Sequence, residues 1–361
     1  MVTFLPTRPG RLAGVPSFDR AIGGAESNVA CALAAAGHHA KWVGRVGRDG
    51  FGDHLVEAIA AYGVDVSAVV RDPARPTGVY FRTAGDRATD AHEVVYYRTG
   101  SAASAMSPDT VPYDTVAGAR ILHLSGITAA LSASCLALMR TLMAARPGRP
   151  FVSFDVNFRP GLWPDPAEGG RVLLDLARGA DLVLVGADEA EQAWDLTDPA
   201  AIRTALPEPA LLVVKHGAAG ALVFERRATP GADASGADAS GPEASGPQAS
   251  GPEGSDLDAS GRAADRVTHV PAPRVDVVAH VGAGDAFAAG FLDGTLRGLG
   301  VKERARQGHL GAAAVLTVGG DLAAPPRRAH ADRLTALGDE AWERLHLGPG
   351  WTGEDQEVRT P

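Results

Sequence analysis

From residue 26 onward, short aliphatic runs of β character alternate with stretches of helical spacing, and this alternation restricts the fold of the 361-residue chain more than any other feature. It predicts an α/β, doubly wound, mainly parallel sheet flanked by helices on both faces. The predicted strands are Trp42–Val46, Ile121–Leu124, Phe151–Val156, Leu182–Val185 and Leu211–Val214, and helical spacing marks Ala30–Ala36, Leu131–Met143, Val172–Leu176 and Glu189–Leu196. Sheets of this kind bind ligands beyond the carboxyl ends of their strands. With 45% hydrophobic residues the chain can bury one large core unaided, so a single domain is placed at residues 1–345 with a flexible tail at 346–361.

Two segments break the alternation. Residues 11–22 and 77–98 favour strand over helix, with Val79, Phe81, Val94, Val95, Tyr96 and Tyr97 as the β-prone residues, and are expected to pair as a small β-sheet lid. Residues 231–255 are a five-residue repeat of small, acidic and proline residues, too poor in apolar surface to offset the entropy of ordering. The expected disordered insertion spans about 229–264. It decorates a hairpin between Ala221–Glu225 and Val267–Val270 and does not divide two domains.

Composition excludes several classes. Cys31 and Cys135 lack metal-ligand spacing and read as small core residues of a reducing compartment. The first residues show no basic start followed by a long apolar stretch, and no apolar run reaches membrane-span length, so the expected location is cytoplasmic with no membrane partner. A net charge of −9 gives no basic field for nucleic acid.

The chemistry concentrates in Val281-Gly282-Ala283-Gly284-Asp285-Ala286-Phe287, where a turn of small residues runs into a helical pattern. Backbone N–H groups of Gly282, Ala283 and Gly284 would converge at the positive end of that helix, suited to the charge of a transferring phosphoryl group. Asp285 at the same spot can accept the proton of an attacking hydroxyl. In isolation the motif reads sooner as a glycine turn with a capping aspartate, and its context reverses that reading. At these residues the chain resembles the PfkB, or ribokinase-like, carbohydrate kinase family. That resemblance implies a doubly wound sheet with a β lid, ATP and Mg²⁺ as cofactors, an anion hole on these amides, Asp285 as base, and self-association as a dimer or higher through the lid.

A second family signature stands at Gly23-Gly24-Ala25-Glu26-Ser27-Asn28-Val29-Ala30, where Gly24 lets backbone approach a sugar and Asn28 can both donate to and accept from hydroxyls. Lys215-His216-Gly217-Ala218-Ala219-Gly220 resembles the segment beside the nucleotide, implicating Gly217 and Gly220. Lys215 either contacts phosphate or neutralises a buried acidic neighbour. In Gly186-Ala187-Asp188-Glu189 the resemblance implies that Glu189 acts on hydrated Mg²⁺, with Gly186 standing where the family has Asn. Ala279 replaces an acid that helps hold a monovalent cation in many members, which argues against potassium activation. Members also begin with a further strand carrying a Gly-Glu pair before the segment matching Val2–Leu5, and its absence raises the expectation of a start upstream of Met1.

Three further stretches, residues 96–102, 122–128 and 155–159, are similar to the 2-keto-3-deoxygluconate kinases of that family. A sugar acid needs a planar pair of donors for its carboxylate, and Arg98 on the lid with Arg159 at a strand's carboxyl end would grip it from two sides. Tyr80 and Tyr96 would add hydroxyl contacts and an apolar wall, Ile127 backbone and packing, and Asp321 resembles an acid that touches substrate. The alternatives are a fructokinase or other sugar kinase of the same fold, and a catalytically impaired sugar-binding or regulatory protein. A nicotinamide-dependent dehydrogenase shares the parallel sheet, but no GxGxxG follows a first strand.

Overall fold

The computed structural model describes residues 1–8, 10–83, 93–227 and 265–353. Its strands are β1 (Val2–Pro6), β2 (Phe18–Ile22), β3 (Gly44–Gly47), β4 (Val69–Asp72), β5 (Val79–Arg82), β6 (Val94–Tyr97), β7 (Ile121–Ser125), β8 (Phe151–Asp155), β9 (Leu182–Gly186), β10 (Leu211–Lys215), β11 (Ala221–Glu225), β12 (Arg266–Val270), β13 (Arg274–Val275) and β14 (His346–Leu347). The helices are α1 (Ala25–Ala35), α2 (Gly50–Ala61), α3 (Gly126–Ala129), α4 (Ala133–Met143), α5 (Pro166–Arg178), α6 (Ala187–Trp194), α7 (Pro199–Ala205), α8 (Ala283–Leu296), α9 (Val301–Leu316), α10 (Arg328–Thr335) and α11 (Asp339–Glu343).

The main sheet runs in the order β12-β11-β10-β9-β8-β7. The β7, β8, β9 and β10 strands are mutually parallel, and the β11/β12 hairpin closes one side antiparallel. β9 explains why the sheet is covered twice. All five of its residues are buried, as a strand sandwiched between helices must be. Val183 and Val185 pack with Leu138, Met139, Leu173 and Ile202 of α4, α5 and α7, whereas Leu182 and Leu184 pack with Val29, Phe287 and Phe291 of α1 and α8. The carboxyl ends Ser125, Asp155, Gly186 and Lys215 therefore share one edge of the sheet.

The lid is larger than expected. Val2–Pro6 joins it, so the sheet runs β2-β1-β5-β6, with β1 antiparallel to β2 and parallel to β5. Residues 12–14 form a short 3-10 turn. Phe4 stacks on Phe81 at 4.6 Å between ring centroids, and Phe18 meets Phe81 edge-on. This cross-strand aromatic cluster packs β1, β2 and β5 together in the lid. The strand expected at Trp42–Val46 begins at Gly44 and pairs only with β4, outside the main sheet.

Of the flexible tail expected at residues 346–361, the described part, 346–353, is instead packed on the body: β14 pairs with β13, and Leu347 and Trp351 are buried against Leu310 and Ala314 of α9 and Leu334 of α10. Two large apolar side chains supply the burial that a free tail lacks. The expected insertion at 229–264 lies outside the described residues. No helix of the described residues is long and apolar enough to cross a membrane.

Candidate active site

A cavity of about 1330 Å³ opens at the carboxyl edge of the main sheet beneath the lid and continues along β7 as far as Arg120 and Leu296. Its lining brings together Gly24, Asn28, Tyr80, Tyr96, Arg98, Ile127, Arg159, Glu189, Lys215, Gly282, Gly284, Asp285 and Asp321, residues that the sequence scatters over nearly 300 positions. Ala283, Gly217 and Gly220 are not in its wall. Ala283 is the first residue of α8, and the other two lie in the turn after β10.

The turn before α8 is dictated by glycine. Gly282 has φ +84°, a left-handed conformation, and a Cβ there would lie 2.4 Å from the backbone oxygen of Asp321. Only glycine avoids both penalties. Gly284 is exposed, and the nearest atom to a Cβ placed on it is Lys215 Nζ at 3.7 Å. The first amides of the helix have no intrahelical acceptor, so they face this space with the positive end of the helix dipole and an ammonium alongside.

Asp285 sits in that first turn, and Asn28 Nδ2 donates to its Oδ2 at 2.8 Å. Asn28 thus orients the carboxylate and leaves Oδ1 for another partner; its own Oδ1 is buried and unpartnered. Burial pushes the Asp285 carboxyl up to about 7, with Asp155 and Glu26 pushing the same way and Asn28 and Lys215 opposing. A base held near 7 is poised for proton abstraction at neutral pH. Because Asp285 works only when ionised, kcat/KM should rise as pH increases through about 7 and level off above, falling about tenfold per unit on the acid side. A rate profile flat from pH 6 to 8 would remove this assignment.

Lys215 takes the second of its two expected roles. Its Nζ lies 3.2 and 3.3 Å from the two oxygens of Asp155, which is buried at the end of β8. Burial alone would lower its pKa, but Asp155, Glu189 and Asp285 outweigh that and hold the ammonium charged. The same Nζ stands beside Gly284, 3.7 Å from the position of a Cβ there.

Other expected residues are engaged with one another. Tyr80 donates its hydroxyl to Asp321 Oδ2, and Arg82 Nη2 lies 2.9 Å from Asp321 Oδ1. Glu189 Oε2 accepts from the Gly186 amide at 3.0 Å, and Oε1 pairs with Arg159 Nη1 at 3.3 Å. Arg98 differs. Its guanidinium lies over the Tyr96 ring, 4.6 Å from the centroid, and makes no ion pair among the described residues. Burial lowers its pKa, and Tyr96 and Glu26 partly restore it.

Among the described residues no group of three or more His, Cys, Asp or Glu could hold a metal ion. With Glu189 and Asp155 both engaged, the side chains suit a hydrated Mg²⁺ carried by nucleotide phosphates better than a direct protein cage. Gly220 is required by the fold itself: φ is +112°, and a Cβ would lie 2.3 Å from the Val270 backbone oxygen at the end of β12.

The sequence reading assigned no role to four residues that matter here. Asp155 pairs with Lys215, and Arg82 with Asp321. Glu26 accepts from Thr128 Oγ1 and lines the same cavity. Asn157 has φ +43° with its Oδ1 buried and unpartnered in the cavity wall, a strained and unsatisfied polar group of the kind that clusters at functional sites. Its place between Asp155 and Arg159 in one short motif was the available signal.

The pfkB family carbohydrate kinase model matches residues 2–236 and 250–328. The 2-dehydro-3-deoxygluconokinase of Bacillus subtilis (strain 168) is 32% identical over 332 residues, covering 91% of this chain and 90% of the relative. The protein of the same name from Thermoproteus tenax is 36% identical over 219 residues, 60% of this chain and 66% of the relative. Among solved structures, the PfkB protein from Polaromonas sp. JS666 is 33% identical with a TM-score of 0.72, covering 93% of this chain and 97% of the other.

Proposed function

The chain belongs to the pfkB family of carbohydrate kinases, and from that premise we propose that it transfers the γ-phosphoryl group of ATP to the terminal hydroxyl of 2-keto-3-deoxygluconate (2-dehydro-3-deoxygluconate), giving 2-keto-3-deoxy-6-phosphogluconate. Arg98 carries the choice of substrate. A half-buried guanidinium that faces the cavity without a carboxylate partner offers a site for the carboxylate of a sugar acid. Arg159 supports the grip less directly, since Glu189 holds it.

With the acid end at Arg98, the far hydroxyl reaches toward Asp285, whose free Oδ1 accepts its proton while Asn28 fixes the other oxygen. The α8 amides and Lys215 stabilise the charge spread over the transferring group. Mg²⁺ bound to ATP would offset phosphate charge, with Glu189 and Asp155 placed to hold its waters. Gly217 and Gly220 receive the nucleotide beside β10. Self-association through the lid belongs to the same proposal, since Val95 and Tyr97 on β6 turn outward at 39% and 64% exposure. The expected location is the cytoplasm.

A side-by-side assay of 2-keto-3-deoxygluconate, 2-keto-3-deoxygalactonate, fructose and ribose tests the reading. Both acids should exceed both neutral sugars in kcat/KM by about 10- to 100-fold, the worth of one charge-assisted paired contact, and Arg98→Met should erase most of that margin. Fructose turned over as well as the acids would make the chain a fructokinase.

A further inference from the structure

Between the lid and the phosphate side lies a buried polar cluster that the reaction as described leaves unused. Arg82, at the end of β5, is 2% exposed, and Tyr80 and Asp321 are 5% exposed. Besides reaching Asp321 Oδ1, the same Arg82 Nη2 donates to the Gly319 oxygen at 2.9 Å. Tyr80 holds the other Asp321 oxygen. The Arg82 Nε has no partner, and Asp321 Oδ1 accepts no well-aligned hydrogen bond, so the pair is in contact but out of line.

Asp321 also touches both halves of the active site. A Cβ on Gly23 would lie 2.7 Å from Asp321 Oδ2 and 2.2 Å from the Tyr80 hydroxyl, and a Cβ on Gly282 would lie 2.4 Å from the Asp321 backbone oxygen. Both glycines make room for this one residue. A buried ion pair is weak evidence for stability, because its desolvation offsets its attraction. Its placement is the better clue: the lid strand and the turn before α1 meet the carboxylate of Asp321, and the turn before α8 meets the backbone oxygen of the same residue.

We propose that Arg82 is a positioning residue which, through Asp321, couples the lid over the sugar to the Gly282–Gly284 turn that receives the phosphoryl group, so that sugar and ATP each tighten binding of the other. A lid drawn down on sugar moves β5, and Arg82 carries Asp321 with it. The Gly282 backbone, in contact with the Asp321 oxygen, then sets in its anion-binding position. Linkage requires the effect to be reciprocal. The inference needs the sugar kinase activity and not the identity of the sugar.

The test is calorimetric binding of the non-hydrolysable ATP analogue AMP-PNP to the full chain, alone and with saturating amounts of whichever panel sugar is turned over fastest. In the unaltered protein, sugar should tighten the analogue at least about 5-fold. In Arg82→Lys and Arg82→Met this factor should fall toward 1, while affinity for the analogue without sugar stays within about twofold. Tyr80→Phe, which keeps the ring and removes the second hold on Asp321, should reduce the factor in the same direction, and decides the matter if the arginine variants do not fold. A folded variant that retains the full factor overturns the proposal, as does an unaltered protein in which sugar leaves analogue affinity unchanged.

Discussion

Asp285→Asn should keep the fold and nucleotide binding but lower turnover by about two to four orders of magnitude, the usual worth of a positioned general base. The amide preserves shape and can still meet Asn28, but it cannot take a proton from the sugar hydroxyl. The acid limb of the pH profile near 7 should vanish with it. Stability should move the other way. The folded-state carboxyl is held above its ordinary value, so the ionised form costs stability once pH exceeds that ordinary value, and in full above about 7. Removing the charge should leave the variant as stable or more stable at pH 8, by on the order of 1 kcal/mol after allowance for solvent in the cavity. Nearly full turnover would remove Asp285 from the chemistry, and loss of nucleotide binding would show that its role is structural.

Lys215→Met should damage both stability and rate. The ammonium stands among Asp155, Glu189 and Asp285, and its pKa is held up by them. A raised lysine pKa stabilises the fold in full below the ordinary lysine value, so the whole contribution is present at neutral pH. Methionine keeps the length of the side chain but leaves Asp155 as a buried carboxylate without its partner. Urea unfolding should register a loss of about 2–4 kcal/mol, typical of breaking one side of a buried pair. With a nearby cation gone, the Asp285 limb should also move to higher pH. Unchanged unfolding together with an unmoved pH profile would mean that Lys215 neither neutralises Asp155 nor tunes the base.

These effects depend on pairings of different legibility. The strands of the main sheet can be read because parallel strands buried on both faces appear as unbroken apolar runs, as in Leu182–Gly186. The β11/β12 hairpin can be read across the repeat because both arms keep their β character. The start of α8 is legible because small residues at Gly282-Ala283-Gly284 have few other uses before an apolar helical face. In contrast, Val2–Pro6 has the composition of any half-buried strand, and its place in the lid shows only in its pairing with β2 and β5 and in the Phe4, Phe18 and Phe81 cluster.

Partnerships between distant side chains are hidden for a different reason. Nothing in the neighbourhood of Lys215 names Asp155, and nothing near Tyr80 or Arg82 names Asp321, 241 and 239 positions away in sequence. Sequence patterns report periodicity and turn chemistry, which are local. Which carboxylate meets which cation is settled by how the sheet edge and the lid come together, and that is why Tyr80, Asp321, Arg159 and Glu189 read as separate substrate or metal contacts but sit in pairs.

In the proposed complex one cavity holds a sugar acid by its carboxylate at Arg98 and offers its far hydroxyl to Asp285. A crystal structure of the complex with 2-keto-3-deoxygluconate and AMP-PNP measures this directly. The carboxylate should lie against the Arg98 guanidinium and the terminal hydroxyl within about 3 Å of Asp285 Oδ1, facing the γ-phosphate at the start of α8. A sugar bound with its carboxylate in solvent, or with Asp285 out of reach of every hydroxyl, would contradict it.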